Sequence, residues 1–296
     1  MILSGGTNMT VQAIRKTSKK NPTPTDLDIS PRHAHFDVED ELSTLWHSND
    51  AFITAFFNAL SIQFPEGEKQ FINSVRQFKK QVNDKTLQVH MRNFIKQEGQ
   101  HTREHRKYND ALEQRGYDLT ILEKGINQQV ALVKTLSKQR QLAGTCAAEH
   151  ITAILAEGML KHPEWLEGAS PKMKALWKWH AVEETEHKGV AFDVFQSQVG
   201  NEKMRKVVMF VVLMNISRLT FINMCHMLKV DGQLYKPKTW INGTKFFWRK
   251  NGIIRHSIPE LFKYFSKDFH PWEYDSRQLI NQWEQEYDGS FKQAVN

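Results

Sequence analysis

Two stretches of this 296-residue chain carry side chains whose types and spacing suit metal binding. In His180-Ala181-Val182-Glu183-Glu184-Thr185-Glu186-His187 a helical turn of about 100° per residue places His180, Glu184 and His187 within roughly 60° of one another. Two imidazoles and a carboxylate then share one stripe. Gln97-Glu98-Gly99-Gln100-His101 repeats the Glu-x-x-His half of the pattern, and two further acids, Glu68 and Glu149, precede the two motifs by similar distances. Four carboxylates balance the charge of two divalent cations, so the protein need not bury net charge, and three neutral imidazoles complete the set.

Hard oxygen donors mixed with imidazole suit iron or manganese, whereas zinc usually takes fewer ligands or thiolates and is the poorer fit. Two irons in such a site would activate dioxygen toward a small organic substrate with the help of an electron donor. The alternative is hydrolysis, in which the metal pair generates hydroxide near neutral pH. A third class is a non-catalytic helical protein that merely holds metal or lies on a membrane.

Three metal-capable groups aligned among Trp and Val in 177–190 point to metal even in isolation, whereas the other candidates, taken singly, are ordinary. Glu68 follows Pro65 and Gly67, which read as an interruption between two helices, so it looks like a first-turn acid favoured by the helix dipole. Glu98 and His101 have polar neighbours in Gln97, Gln100, Thr102 and Arg103, and could belong to a solvated face. Glu149 lies among Ala, Cys, Ile and Leu, where an acid needs a cation partner, and Glu157 competes for the same inward face. His105 falls about 20° from Glu98 around the helix and is placed as a supporting group. Glu183, Glu186 and Asp193 are placed beside the site or in solvent.

The elements needed to position these groups are helices. Eighteen Phe, eight Trp, few Pro and Gly away from the ends, and 40% hydrophobic residues predict an all-α fold, a four-helix bundle with additional N- and C-terminal helices. Residues 1–35, rich in Ser, Thr, Pro and Lys, read as a flexible arm, and 36–296 as one domain. Helical patterns span about 40–64, 84–114, 121–136, 139–160 and 171–195, and the apolar stretch 206–230 reads as a buried helix because Arg218 interrupts it. An aromatic, basic tail from Lys236 would cap the bundle.

The net charge of +7 is scattered along the chain, with no basic stripe interleaved with aromatics, which argues against a nucleic-acid partner. Cys146 and Cys225 are too few for a disulfide framework or a cysteine metal site, and no secretory signal pattern opens the chain, so a cytoplasmic protein is expected. Contact with a membrane surface and a homodimer are both compatible with the sequence, the former through the basic cluster Lys203, Arg205, Lys206.

The order Glu, Glu-x-x-His, Glu, Glu-x-x-His is that of ferritin-like di-metal bundles. From Pro31 to Tyr287 the chain resembles the bacterial family labelled "predicted metal-dependent hydrolase", through Phe64-Pro65-Glu66-Gly67-Glu68, Gln97–His101, Trp179–Lys188 and Phe269-His270-Pro271-Trp272. The extra His180 is similar to the ligand pattern of di-iron arylamine N-oxygenases of the p-aminobenzoate type, with three histidines and four glutamates. The resemblance implies Glu68, Glu98, His101, Glu149, His180, Glu184 and His187 as ligands. It puts Glu98 and His101 on one iron and His180, Glu184 and His187 on the other, and implies no particular substrate.

Overall fold

The computed structural model describes residues 23–287 and the backbone of 292–293. Four long helices enclose the interior: α2 (Ala51–Arg76) and α3 (Lys85–Gln114) pack as one pair, α5 (Lys138–Lys161) and α6 (Pro171–His187) as the other, and the pairs close on each other. Helices α1 (Glu39–Leu42) and α4 (Leu119–Lys134) flank the bundle, and α7 (Val190–Gln198) continues from α6 after a break at Lys188-Gly189. Helix α8 (Glu202–Val230) lies across α5 and α2, and α9 (Pro237–Trp248), α10 (Ile253–Lys263) and α11 (Arg277–Glu286) complete the outer layer. The fold is an all-α bundle.

Helix α2 does not stop at Pro65. It runs unbroken for 26 residues, started by Asp50, whose carboxylate accepts from the N–H groups of Phe52 and Ile53 at 2.9 and 3.0 Å. Proline removes the N–H that would have bonded the carbonyl four residues earlier, that of Ser61. The amide Nδ2 of Asn109 on α3 donates to that carbonyl at 3.1 Å and makes good the loss. Glu68 therefore sits in mid-helix, and the dipole argument for a first-turn acid does not apply.

The segment 23–35 also differs from the flexible arm expected for 1–35, whose residues 1–22 lie outside the described residues. Residues 32–38 alternate inward and outward, burying Arg32, Ala34, Phe36 and Val38. Their N–H groups find side-chain acceptors: Arg32 N–H donates to Glu183 Oε1 at 2.9 Å and Phe36 N–H to Glu104 Oε2 at 3.1 Å. The short strand β1 (Arg32–His33) pairs antiparallel with β2 (Lys292–Gln293), so a strap crosses α3 and α6.

The stretch 206–230 is not a fully buried helix. Met209, Leu219, Met224, Met227 and Leu228 pack inward, while Val207, Phe210, Val211, Met214, Phe221 and Ile222 are exposed. By length and composition α8 could cross a membrane, yet its inner side is packed on the protein.

Candidate metal centre

Helix α6 sets the site. Every residue from Trp179 to His187 is buried, including two histidines and three glutamates. Burying so many polar groups is costly unless each has a partner, and they do not share one. Glu184 and His187 meet Glu98 of α3 and Glu149 of α5 in one group; His180 meets Glu68 of α2 and His101 of α3 in another. Within each group one donor atom per residue lies within 4.8 Å of the rest. The seven residues singled out in the sequence are thus brought together in the bundle interior.

Glu184 and Glu98 connect the groups. Glu184 Oε1 is 3.0 Å from His180 Nε2 and 3.4 Å from His101 Nδ1, while its Oε2 is 3.6 Å from His187 Nε2. Glu98 Oε1 is 3.2 Å from His187 Nε2 and its Oε2 is 4.0 Å from His101 Nδ1. His180 therefore falls with His101 and Glu68, apart from His187, which differs from the division implied by the resemblance. The reason is the seven-residue offset: two turns of α6 separate His180 and His187 by about 10 Å along the axis, and Glu184 lies between.

Both carboxylate oxygens of Glu68, Glu98 and Glu149, together with His101 Nδ1 and His187 Nε2, are buried without a hydrogen bond. Such donors and acceptors are expensive to leave unsatisfied, and a pair of cations would satisfy them together. The residues present fit a dinuclear centre.

Each histidine is oriented through its other ring nitrogen. His101 Nε2 donates to Glu183 Oε2 at 3.0 Å, His187 Nδ1 to Gln97 Oε1 at 3.0 Å, and His180 Nδ1 lies 2.6 Å from His105 Nε2. His105 is held in turn by Ser61 Oγ at 2.9 Å, which donates to Asn109 Oδ1 at 2.8 Å. Behind Gln97 stands Glu186, accepting from Gln97 Nε2 at 2.7 Å and from Arg32 at 2.5 Å. These contacts choose the tautomer that leaves one nitrogen of each ring facing the centre. Glu183 and Glu186 are fully buried and belong to this support.

In the metal-free protein burial pushes Glu68 up to about 8, with Glu184 adding to the rise and His101 opposing it. Burial likewise raises Glu98 and Glu149, reinforced by Glu184 and Glu98 respectively. Burial alone would raise Glu184 as well, but His187, His101 and His180 hold it well below the usual carboxylate range. Burial brings His180 down to about 4, helped by His101; burial would lower His101 too, but its hydrogen bond to Glu183 and the neighbouring Glu184 carboxylate outweigh that and raise it.

The remaining candidates lie elsewhere. Glu157 pairs with Lys188 at 2.6 Å and Ser276 at 2.6 Å, tying α5 to the C-terminal segment, so the competition with Glu149 is resolved. Asp193 pairs with His270 at 2.8 Å and accepts from Thr23 Oγ1 at 2.7 Å, away from the centre. Gln97, Arg32 and Asn109 were not singled out by sequence. Gln97, four residues before His101, shares that histidine's helical stripe, and the period-two alternation of 32–38 was also readable.

One side of the centre opens into a cavity whose walls include Glu68, His180 and Glu184 and are otherwise largely apolar, with Leu60, Phe64, Val130 and Ile216 among them. Among the described residues lining it there is no Lys or Arg.

No curated protein and no solved structure matches the chain. Residues 30–275 match the family described as "Predicted metal-dependent hydrolase", a description that accords with the hydrolytic alternative rather than with the oxidative one. Buried carboxylate and histidine groups and a match over most of its length agree: the chain belongs to the family of predicted metal-dependent hydrolases.

Proposed function

We propose that the seven side chains hold two metal ions in a ferritin-like arrangement and that the protein is an enzyme acting on an apolar substrate in the adjoining cavity. The observation that carries the reading is the position of Glu98 and Glu184, each with one oxygen toward either group, as a carboxylate shared between two ions requires. Glu68 and Glu149 would serve one ion each, and the three histidines would complete the sets.

With iron bound, the centre would supply dioxygen activation; with a redox-inert metal, a hydroxide nucleophile near neutral pH. The protein's own contribution is to orient the histidines through Glu183, Gln97 and His105 and to exclude water with apolar walls. Thr152 Oγ1 donates to Glu184 Oε2 at 2.5 Å and steadies the shared carboxylate at the cavity edge. A wall without cations is poorly suited to a phosphate ester and well suited to a neutral, hydrocarbon-rich molecule, the kind of substrate that an oxidising centre would take. The second reading, hydrolysis of a neutral ester or amide, is favoured by the family's description.

Elemental analysis of protein produced with added iron should find two equivalents of metal per chain, and fewer than one would overturn the dinuclear reading. Oxygen uptake by the reduced iron form in the presence of a hydrocarbon-chain substrate supports oxidation. Turnover of neutral esters by the zinc or manganese form, with no oxygen uptake by the iron form, establishes hydrolysis instead.

A further inference from the structure

The net positive charge of the chain lies in the outer layer. Between Glu202 and Asp268 there are thirteen Lys and Arg against four acids, an excess larger than the +7 of the whole chain. The outward faces of three helices combine these charges with apolar side chains. The exposed positions include Lys203, Val207, Phe210, Met214, Arg218 and Phe221 on α8; Lys238, Ile241, Lys245 and Trp248 on α9; and Arg255, Ile258 and Phe262 on α10. Phe221 and Phe262 are 55% and 71% exposed, and their grouping with the other apolar side chains of these faces, rather than either residue alone, marks a contact surface.

Behind this face lies a second apolar cavity, between α8, α10 and the bundle, with the half-exposed Phe221 and Ile258 on its rim. Leu60, Ile151, Leu155 and Ile216 line both this cavity and the one that reaches Glu68, His180 and Glu184. The two cavities therefore adjoin at these four side chains, between the amphipathic face and the candidate metal centre.

We propose that the outer faces of α8, α9 and α10 rest on an anionic lipid surface and that the route behind them admits a hydrocarbon chain from that surface to the metal centre. This names the substrate class for the dinuclear enzyme and rests on that reading. Helices with apolar and basic residues mixed on one face, and no exposed acid among those named, have the composition of interfacial helices. A second copy of the chain is a poorer occupant, because a two-fold contact would set this positive face against itself. Helix α8 does not span the bilayer, because its other side carries core residues packed on α2 and α5.

Cosedimentation with vesicles tests the face. The protein should bind phosphatidylcholine vesicles containing phosphatidylglycerol at least about tenfold more strongly than phosphatidylcholine alone, and high salt should abolish the preference. Lys238→Glu with Lys245→Glu, both exposed, should lower binding by an order of magnitude or more while leaving thermal unfolding unchanged. Palmitic acid, followed by tryptophan fluorescence, should bind the wild-type protein, and Ile216→Trp at the shared neck should block it without changing vesicle binding. A variant that fails to fold is replaced by Leu155→Phe at the same neck. Equal binding to both vesicle types, or concentration-dependent dimerisation lost in the charge-reversed protein without vesicle binding, overturns the surface; palmitic acid uptake unaffected by both neck variants overturns the route. Neither measurement needs turnover or metal, and Glu184→Ala should retain vesicle binding, so failure here is separable from failure of the metal reading.

Discussion

Asn109 and Ser61 are joined twice: the amide nitrogen of Asn109 donates to the Ser61 carbonyl at 3.1 Å, and the Ser61 hydroxyl donates to the Asn109 amide oxygen at 2.8 Å. The first bond replaces the one that Pro65 cannot make, and the second holds the hydroxyl that orients His105 against His180. One side chain on α3 thus keeps α2 continuous as far as Glu68 and anchors the chain of hydrogen bonds behind a candidate ligand.

Asn109→Ala should cost about 1–3 kcal/mol in urea unfolding, the penalty for a buried carbonyl left without a donor. Pro65→Ala restores an N–H for Ser61, so the loss from Asn109→Ala should be smaller in that background. Equal losses in both backgrounds would show that the two residues are not coupled.

Glu184→Ala and His101→Ala should each abolish loading of a metal pair, because Glu184 faces both groups and His101 presents an otherwise unbonded nitrogen. Glu186→Ala is expected to weaken metal affinity by about 10–100-fold without abolishing binding, since it acts on His187 only through Gln97. Elemental analysis across a metal titration separates the two outcomes.

Arg32→Met should destabilise the protein by about 3–5 kcal/mol, because Glu183 and Glu186 would remain buried without their cation. Chemical denaturation measures the loss. Adding Glu186→Gln to the same chain should recover part of it.

The metal-free protein should lose stability as pH rises from about 4.5 to 8. Below that window Glu68 is protonated whether folded or unfolded; within it the unfolded chain ionises while the buried carboxyl keeps its proton, so the unfolded state is favoured. The effect is on the order of a few kcal/mol. Glu68→Gln should flatten this part of the pH profile of thermal unfolding, and metal loading should remove it by favouring the ionised carboxylate.

The helical periods of 84–114 and 139–160, and the stripe shared by His180, Glu184 and His187, were determined by sequence alone, because 3.6 residues per turn fixes which side chains lie above one another, whereas the break at Lys188-Gly189 inside the pattern 171–195 was not. Period-two burial of the strap at Arg32 was equally local, yet the polar composition around it masked the signal. Other features depended on partners distant in the chain. Pro65 reads as a break until Asn109, 44 positions later, supplies the missing donor. Glu183 and Glu186 read equally as supports beside the site or as a solvated flank until Arg32 arrives from the far end of the chain. Only packing could divide the ligands so that His180 joins Glu68 and His101 while Glu184 stands between the groups, because periodicity tells which residues share a stripe and leaves open which stripes meet across the interior.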